Sequence, residues 1–134
     1  MATVLLATDA DWLFDEVDAA LADDATTVHR VRSGRMVLPA VRQLEPDLVI
    51  LDLQIGNLGG VATALSLRQE EDMGRLEPRR IVMLLDRQAD VFMAQMARAD
   101  GWLVKPVNSV RLRRAARAVL AGDGYFEGML EAAT

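Results

Sequence analysis

The chain alternates between short apolar runs and segments in which apolar residues recur every three or four positions. The run from Pro46 to Leu53 is apolar on nearly every residue, which requires cover on both faces and predicts a central strand of a parallel sheet. The segment from Thr26 to Arg32 alternates apolar and polar residues, which predicts an edge strand. Further strands are predicted at Val4–Ala7, Ile81–Leu85 and Gly101–Val104.

A segment with helical spacing follows each strand. The last one begins after Asn108, a plausible N-cap, and Pro39 should kink or delay the second. The predicted helices cover roughly residues 13–21, 35–44, 61–71, 88–98 and 109–120. This alternation predicts an α/β fold with a doubly wound five-stranded parallel sheet over residues 1–122. Residues 123–134 look like a linker or mobile tail, so no output domain is expected.

Composition narrows the possible functions. The 134 residues suffice for one domain, and the absence of cysteine excludes disulfides, zinc thiolate sites and thiol nucleophiles. A single histidine, His29, argues against a histidine-based triad. The net charge of −5 has the wrong sign for a dedicated nucleic-acid binder. With no targeting segment and no apolar run long enough to span a membrane, we expect a cytoplasmic protein.

Three charged residues directly follow or end predicted strands: Asp9, Asp52 and Lys105. The carboxyl ends of strands in a doubly wound sheet meet at one edge, where such sheets hold their functional sites. Two carboxylates and a lysine suit a Mg²⁺-assisted phosphoryl acceptor, because Mg²⁺ needs only one or two carboxylates besides waters and phosphate oxygens.

From Val4 to about Gly124 the chain resembles the receiver domain of bacterial two-component response regulators. Asp9 matches one member of that family's acidic pair, Asp52 the acceptor aspartate, Trp102 the aromatic switch position and Lys105-Pro106 the closing motif. The resemblance implies a flavodoxin-like strand order of 2-1-3-4-5, a cis Lys105–Pro106 bond and phosphorylation of Asp52, with Lys105 as its charge partner. Trp102 could instead be a core aromatic.

The departures from the family pattern concern the same site. Ala10 is placed at the second acidic position, so Mg²⁺ would depend on Asp9, Asp52 and the main-chain carbonyl of Gln54, with weak or lost binding. Leu85 stands where the family has a serine or threonine hydroxyl, a loss of about 1.5–3 kcal/mol for a hydrogen bond to a charged group. Asp86, next to it, would repel a phosphoryl group.

Several functions fit these residues. The preferred one is an atypical, stand-alone receiver in a phosphorelay, with no enzymatic activity beyond self-phosphorylation from a donor and autodephosphorylation. The first alternative is a phosphorylation-independent pseudo-receiver that serves as a binding scaffold. A remote alternative is a haloacid-dehalogenase-like phosphatase, in which Asp9 would be the nucleophile and Asp11 the general acid.

The resemblance also implies partners. A sensor histidine kinase or phosphotransfer protein would supply the phosphoryl group. The face formed by the fourth helix, fifth strand and fifth helix would dock a protein target through Phe92, Met96 and Trp102, and the last helix is a candidate homodimer face. We expect no nucleic acid and no membrane as partner, because the arginines of the last helix suit solvent or an acidic protein better.

Overall fold

Within residues 1–128, six parallel strands form one sheet in the order β2-β1-β3-β4-β5-β6. The computed structural model describes residues 1–128. The strands are β1 (Ala2–Ala7), β2 (Thr26–Val31), β3 (Leu48–Asp52), β4 (Ile81–Leu85), β5 (Gly101–Val104) and β6 (Tyr125–Phe126). The helices are α1 (Asp11–Leu21), α2 (Val37–Leu44), α3 (Gly60–Asp72), α4 (Val91–Met96) and α5 (Ser109–Leu120). The predicted α/β class and the order of the first five strands are confirmed.

The apolar core lies on both faces of the sheet. Leu6 and Ile50 point to the face covered by α1 and α5, whereas their neighbours Leu5 and Leu51 point to the face covered by α2, α3 and α4. All five residues of β3 are buried. The central strand β3 is apolar on successive residues because helices cover both of its faces, as inferred from the sequence.

Local signals in the sequence explain several helix ends. Asn108 caps α5, since its side-chain oxygen accepts a hydrogen bond from the Arg111 amide at 2.9 Å. Pro39 lies in the first turn of α2, where its missing N–H breaks no helical hydrogen bond, and a short 3₁₀ turn precedes the helix. The fourth helix is shorter than predicted, because residues 88–90 form a 3₁₀ turn and only Val91–Met96 are α-helical.

The region after α5 differs most from the prediction. Residues 125–126, expected in a mobile tail, form β6 along the edge of β5. Residues 129–134, the rest of that predicted tail, lie outside the described part of the chain. The Lys105–Pro106 peptide bond is cis, as the resemblance implied. No helix within residues 1–128 combines the length and apolarity needed to cross a bilayer.

Candidate functional site

Asp52 is the last residue of β3 and carries a buried carboxylate at the carboxyl edge of the sheet. Side chains alternate along a strand, so Asp52 continues the row of Leu48 and Ile50 beneath α1 and α5. Only 2% of the residue is exposed. A carboxylate in such a place needs hydrogen-bond donors, because burying an unpartnered charge is costly.

Three donors satisfy the two oxygens of Asp52. The Lys105 ammonium lies 2.6 Å from Oδ1, and the Gln54 amide N–H donates to the same oxygen at 3.1 Å. The Thr8 hydroxyl donates to Oδ2 at 2.7 Å. Each carboxylate oxygen is therefore already engaged, one by a cation and the other by a neutral hydroxyl.

Lys105 is shared between two carboxylates. It follows β5 directly, and its Nζ lies 2.9 Å from Oδ1 of Asp86 as well as against Asp52. Partial burial acts to lower the pKa of Lys105, but the hydrogen bonds that its ammonium donates to Asp52 and Asp86 outweigh burial and hold that pKa above its ordinary value. Two carboxylates around one ammonium leave this group of three side chains with a single net negative charge.

Asp86 is bound into the site by two neighbours. Besides the lysine, the Gln54 side-chain amide donates to its Oδ2 at 2.5 Å. Partial burial acts to raise the pKa of Asp86, yet the hydrogen bonds from Lys105 and Gln54 bring it below its ordinary value. Asp86 is thus an ionised competitor of Asp52 for the same ammonium.

Thr8 is the site residue that sequence reasoning missed. It ends the row of Val4 and Leu6 along β1, so its side chain points to the same face as Asp52. Ala10, expected at the second acidic position, contributes its amide N–H to the Thr8 hydroxyl at 3.1 Å. The side chain next to Asp9 that reaches the buried carboxylate is therefore that of Thr8. Counting alternate residues along the predicted strand could have found it.

The expected oxygen ligands of Mg²⁺ are the carboxylates of Asp9 and Asp52 and the main-chain carbonyl of Gln54. Asp9 is exposed, and its Oδ2 would lie 3.4 Å from a Cβ on Gly56, so the Asp9 carboxylate faces the loop after β3. No group of three or more acidic, histidine or cysteine side chains within residues 1–128 is arranged to hold a metal. The carboxylates of Asp9 and Asp52 with the Gln54 carbonyl nevertheless fit the ion chemically, because Mg²⁺ is content with one or two carboxylates.

The residues expected at the switch and partner surface separate into two groups. Leu85 and Trp102 are buried in the same apolar cluster on the α2, α3 and α4 face, and only 2% of Trp102 is exposed. Phe92 and Met96 project from α4 and are 66% and 60% exposed. Trp102 thus does not belong to the exposed surface where the sequence analysis placed it. Phe126 covers its ring, with the ring centroids 4.6 Å apart.

The strand order defines a flavodoxin-like α/β domain, and the charged cluster lies at the carboxyl edge of its sheet, where such folds hold their functional sites. Residues 4–117 match the family model of the response regulator receiver domain, and the chain belongs to that family. Receiver domains act in two-component signalling with histidine kinases or phosphotransfer proteins and generally bind Mg²⁺ at the phosphorylation site.

Individual relatives agree with this assignment. The nitrate/nitrite response regulator NarL of Escherichia coli K12 is 30% identical over 124 residues, which cover 91% of this chain and 56% of NarL. PilH of Pseudomonas aeruginosa is 27% identical over 122 residues, covering 91% of this chain and all of PilH. The high-resolution structure of the chemotaxis response regulator CheY4 of Vibrio cholerae superposes with a TM-score of 0.79 at 25% identity, covering 89% of this chain and 98% of CheY4. The chain spans little more than half the length of several relatives, NarL among them.

Proposed function

We propose that the chain is a phosphoacceptor module of a phosphorelay in which Asp52 receives the phosphoryl group. The main support is the position of the Lys105 ammonium, 2.6 Å from Asp52 Oδ1. Both groups lie at the carboxyl edge of the sheet, where folds of this kind have their functional sites. A sensor histidine kinase or phosphotransfer protein is the donor class that the family supplies.

The transfer makes one bond and breaks one. A carboxylate oxygen of Asp52 attacks phosphorus, an O–P bond forms, and the P–N bond to the donor's histidine breaks while the leaving imidazole takes up a proton. The added phosphoryl group brings about two negative charges into the site. Lys105 stabilises those charges and the Gln54 amide N–H can donate to a phosphoryl oxygen, which is electrostatic rather than acid–base catalysis. Bound Mg²⁺ supplies further neutralisation of the phosphoryl oxygens.

We further propose that Mg²⁺ binds weakly. Beside Asp52, Thr8 supplies a neutral hydroxyl, whereas a third carboxylate at that position would add a negative charge to the site. Only Asp9 and Asp52 therefore offer charged ligands to Mg²⁺. Both oxygens of Asp86 are already engaged, Oδ1 by the Lys105 ammonium and Oδ2 by the Gln54 side-chain amide.

Beryllofluoride tests the acceptor role without a kinase, because it mimics a phosphoryl group by bonding to a carboxylate oxygen. We expect a bound ¹⁹F resonance in the presence of Mg²⁺ for the wild type and none for Asp52→Asn. Asp47→Asn is a matched control, since that exposed aspartate precedes the same strand at its opposite end. A bound signal that survives Asp52→Asn would contradict the proposal.

A phosphorylation-independent scaffold is the second candidate function. Both Asp52 oxygens are engaged, Asp86 competes for the lysine, and Leu85 offers no hydroxyl, and all three observations favour it. Absence of beryllofluoride binding in the wild type would select this alternative. The phosphatase alternative gains no support, because Asp11, its required general acid, is ion-paired with Arg30 at 2.8 Å.

The exposed apolar residues of α4 are the proposed partner surface. Phe92 and Met96 lie on the face through which receivers contact their targets, and isolated monomers seldom expose such residues together. We expect Phe92→Glu to reduce recovery of specific partners in a pull-down, with Leu65→Glu, at an exposed apolar residue on α3, as control. Unchanged recovery with Phe92→Glu would contradict this part of the proposal.

A further inference from the structure

A short C-terminal segment, Tyr125–Glu127, lies along the outer edge of β5 and is called the strap below. Gly101 pairs with Tyr125 and Trp102 with Phe126 in parallel register, and the Glu127 amide donates to the Trp102 carbonyl at 3.2 Å. A side chain at Gly101 would not fit, because its Cβ would lie 2.8 Å from the Tyr125 carbonyl oxygen. The strap is thus built into the edge of the sheet.

The strap ends in a carboxylate with several partners. Glu127 Oε1 accepts the Val104 amide N–H at 3.1 Å, while Oε2 accepts Arg111 Nε at 2.7 Å and the Tyr125 hydroxyl at 2.9 Å. The Glu127 carbonyl also accepts the Trp102 indole N–H at 2.8 Å. Partial burial acts to raise the pKa of Glu127, but the hydrogen bonds from Arg111, Val104 and Tyr125 lower it below its ordinary value.

Arg111 extends these contacts to both sides of Lys105. Its guanidinium donates to the Val104 carbonyl at 2.8 Å, to the Pro106 carbonyl and to Glu127. The Val104 N–H donates to the Glu127 carboxylate, and the Val104 carbonyl accepts from the Arg111 guanidinium. Both polar backbone groups of Val104 are therefore held by side chains. The residue between Val104 and Pro106 is the lysine that reaches Asp52.

We propose that Glu127, through Arg111, is a positioning residue that fixes the backbone around Lys105 and so places its ammonium against Asp52. The inference rests on the proposed function for its effect on phosphoryl transfer. It links the phosphoacceptor site to the strap over Trp102 by hydrogen bonds to Val104 and by the peptide bond from Val104 to Lys105, independently of the hydroxyl that Leu85 replaces.

A double-mutant cycle tests this role. The rate of phosphoryl adduct formation from acetyl phosphate is measured by intact mass for the wild type, Glu127→Gln, Lys105→Ala and the double variant. We expect Glu127→Gln to slow adduct formation about two- to tenfold in the wild-type background and to have little effect beside Lys105→Ala, because coupled residues are not additive. An equal slowing in both backgrounds would overturn the inference. Arg113→Gln, on the exposed face of α5, is the matched control and should leave the rate unchanged.

A second measurement separates this inference from the proposed function. The pKa of Lys105 is followed by ¹⁵N NMR in the wild type, Glu127→Gln and Arg113→Gln. We expect Glu127→Gln to move that pKa back toward its ordinary value of 10.5, since the ammonium loses its fixed place between two carboxylates, and Arg113→Gln to leave it in place. No adduct in any variant, with the pKa shift present, would refute the proposed function and leave the positioning role supported. An unmoved pKa would overturn the positioning role itself.

Discussion

The hydrogen bond from Thr8 to Asp52 allows a quantitative test of the site. Thr8→Val keeps the shape of the side chain and removes a buried hydroxyl that lies 2.7 Å from Asp52 Oδ2. Because the acceptor is charged, the loss should lower the free energy of unfolding by about 1.5–3 kcal/mol. A domain of this size has a total stability of roughly 5–15 kcal/mol, so the change is easily resolved.

Thr63→Val provides the matched control. Thr63 is 2% exposed, and its hydroxyl donates to the Gly59 carbonyl at 2.9 Å, a neutral acceptor. Its replacement should cost only about 0.5–1.5 kcal/mol. In an Asp52→Asn background the acceptor beside Thr8 becomes neutral, and the cost of Thr8→Val should fall into the same range.

The assay is urea denaturation at pH 7 followed by far-UV circular dichroism, with a common slope against denaturant required for all variants. A cost for Thr8→Val no larger than that for Thr63→Val, and unchanged by Asp52→Asn, would refute the inference that Thr8 stabilises an ionised Asp52.

Three other predictions follow from the same contacts. Asp86→Ala should speed adduct formation from acetyl phosphate about two- to fivefold, since it frees the ammonium and removes a repelling charge worth up to about 1 kcal/mol; an unchanged or slower rate would contradict this. Thr8→Asp should raise Mg²⁺ affinity roughly tenfold or more in calorimetry, whereas Ala10→Asp should not; the reverse result would restore Ala10 as the missing acidic position. The pKa of Glu127 lies below its ordinary value of 4.5, so its contribution to stability is present above pH 4.5 and is lost as the pH falls through the lower, folded-state pKa. Denaturant midpoints should therefore show a deficit for Glu127→Gln at pH 7 that shrinks below pH 4.5, and a deficit independent of pH would be inconsistent with this assignment.

The fold was predictable from the sequence because its signals are local. The apolar run ending at Asp52 requires cover on both faces, and alternating strands and helices leave few topologies once crossovers are right-handed. The convergence of Asp52 and Lys105 at one edge followed from the same rule, and the structure brings their side chains to 2.6 Å.

The remaining features depend on contacts between distant parts of the chain. The sequence predicts a tail at Tyr125 and Phe126 because two residues carry no strand periodicity. Their pairing with β5 depends on contacts with the small Gly101 and with Trp102. Thr8 was missed because a single threonine after a strand resembles an ordinary turn residue. The sequence also does not show that Lys105 is shared between Asp52 and Asp86. This contact depends on how the ends of β3, β4 and β5 are positioned relative to one another in the sheet.

Intact mass of the wild type and Asp52→Asn after incubation with acetyl phosphate, with and without Mg²⁺, decides whether Asp52 is the phosphoacceptor. We expect a single phosphoryl adduct on the wild type that depends on Mg²⁺ and disappears in Asp52→Asn. No adduct on the wild type at saturating Mg²⁺, or an adduct that persists in Asp52→Asn, would contradict the assignment of Asp52 as the phosphoacceptor.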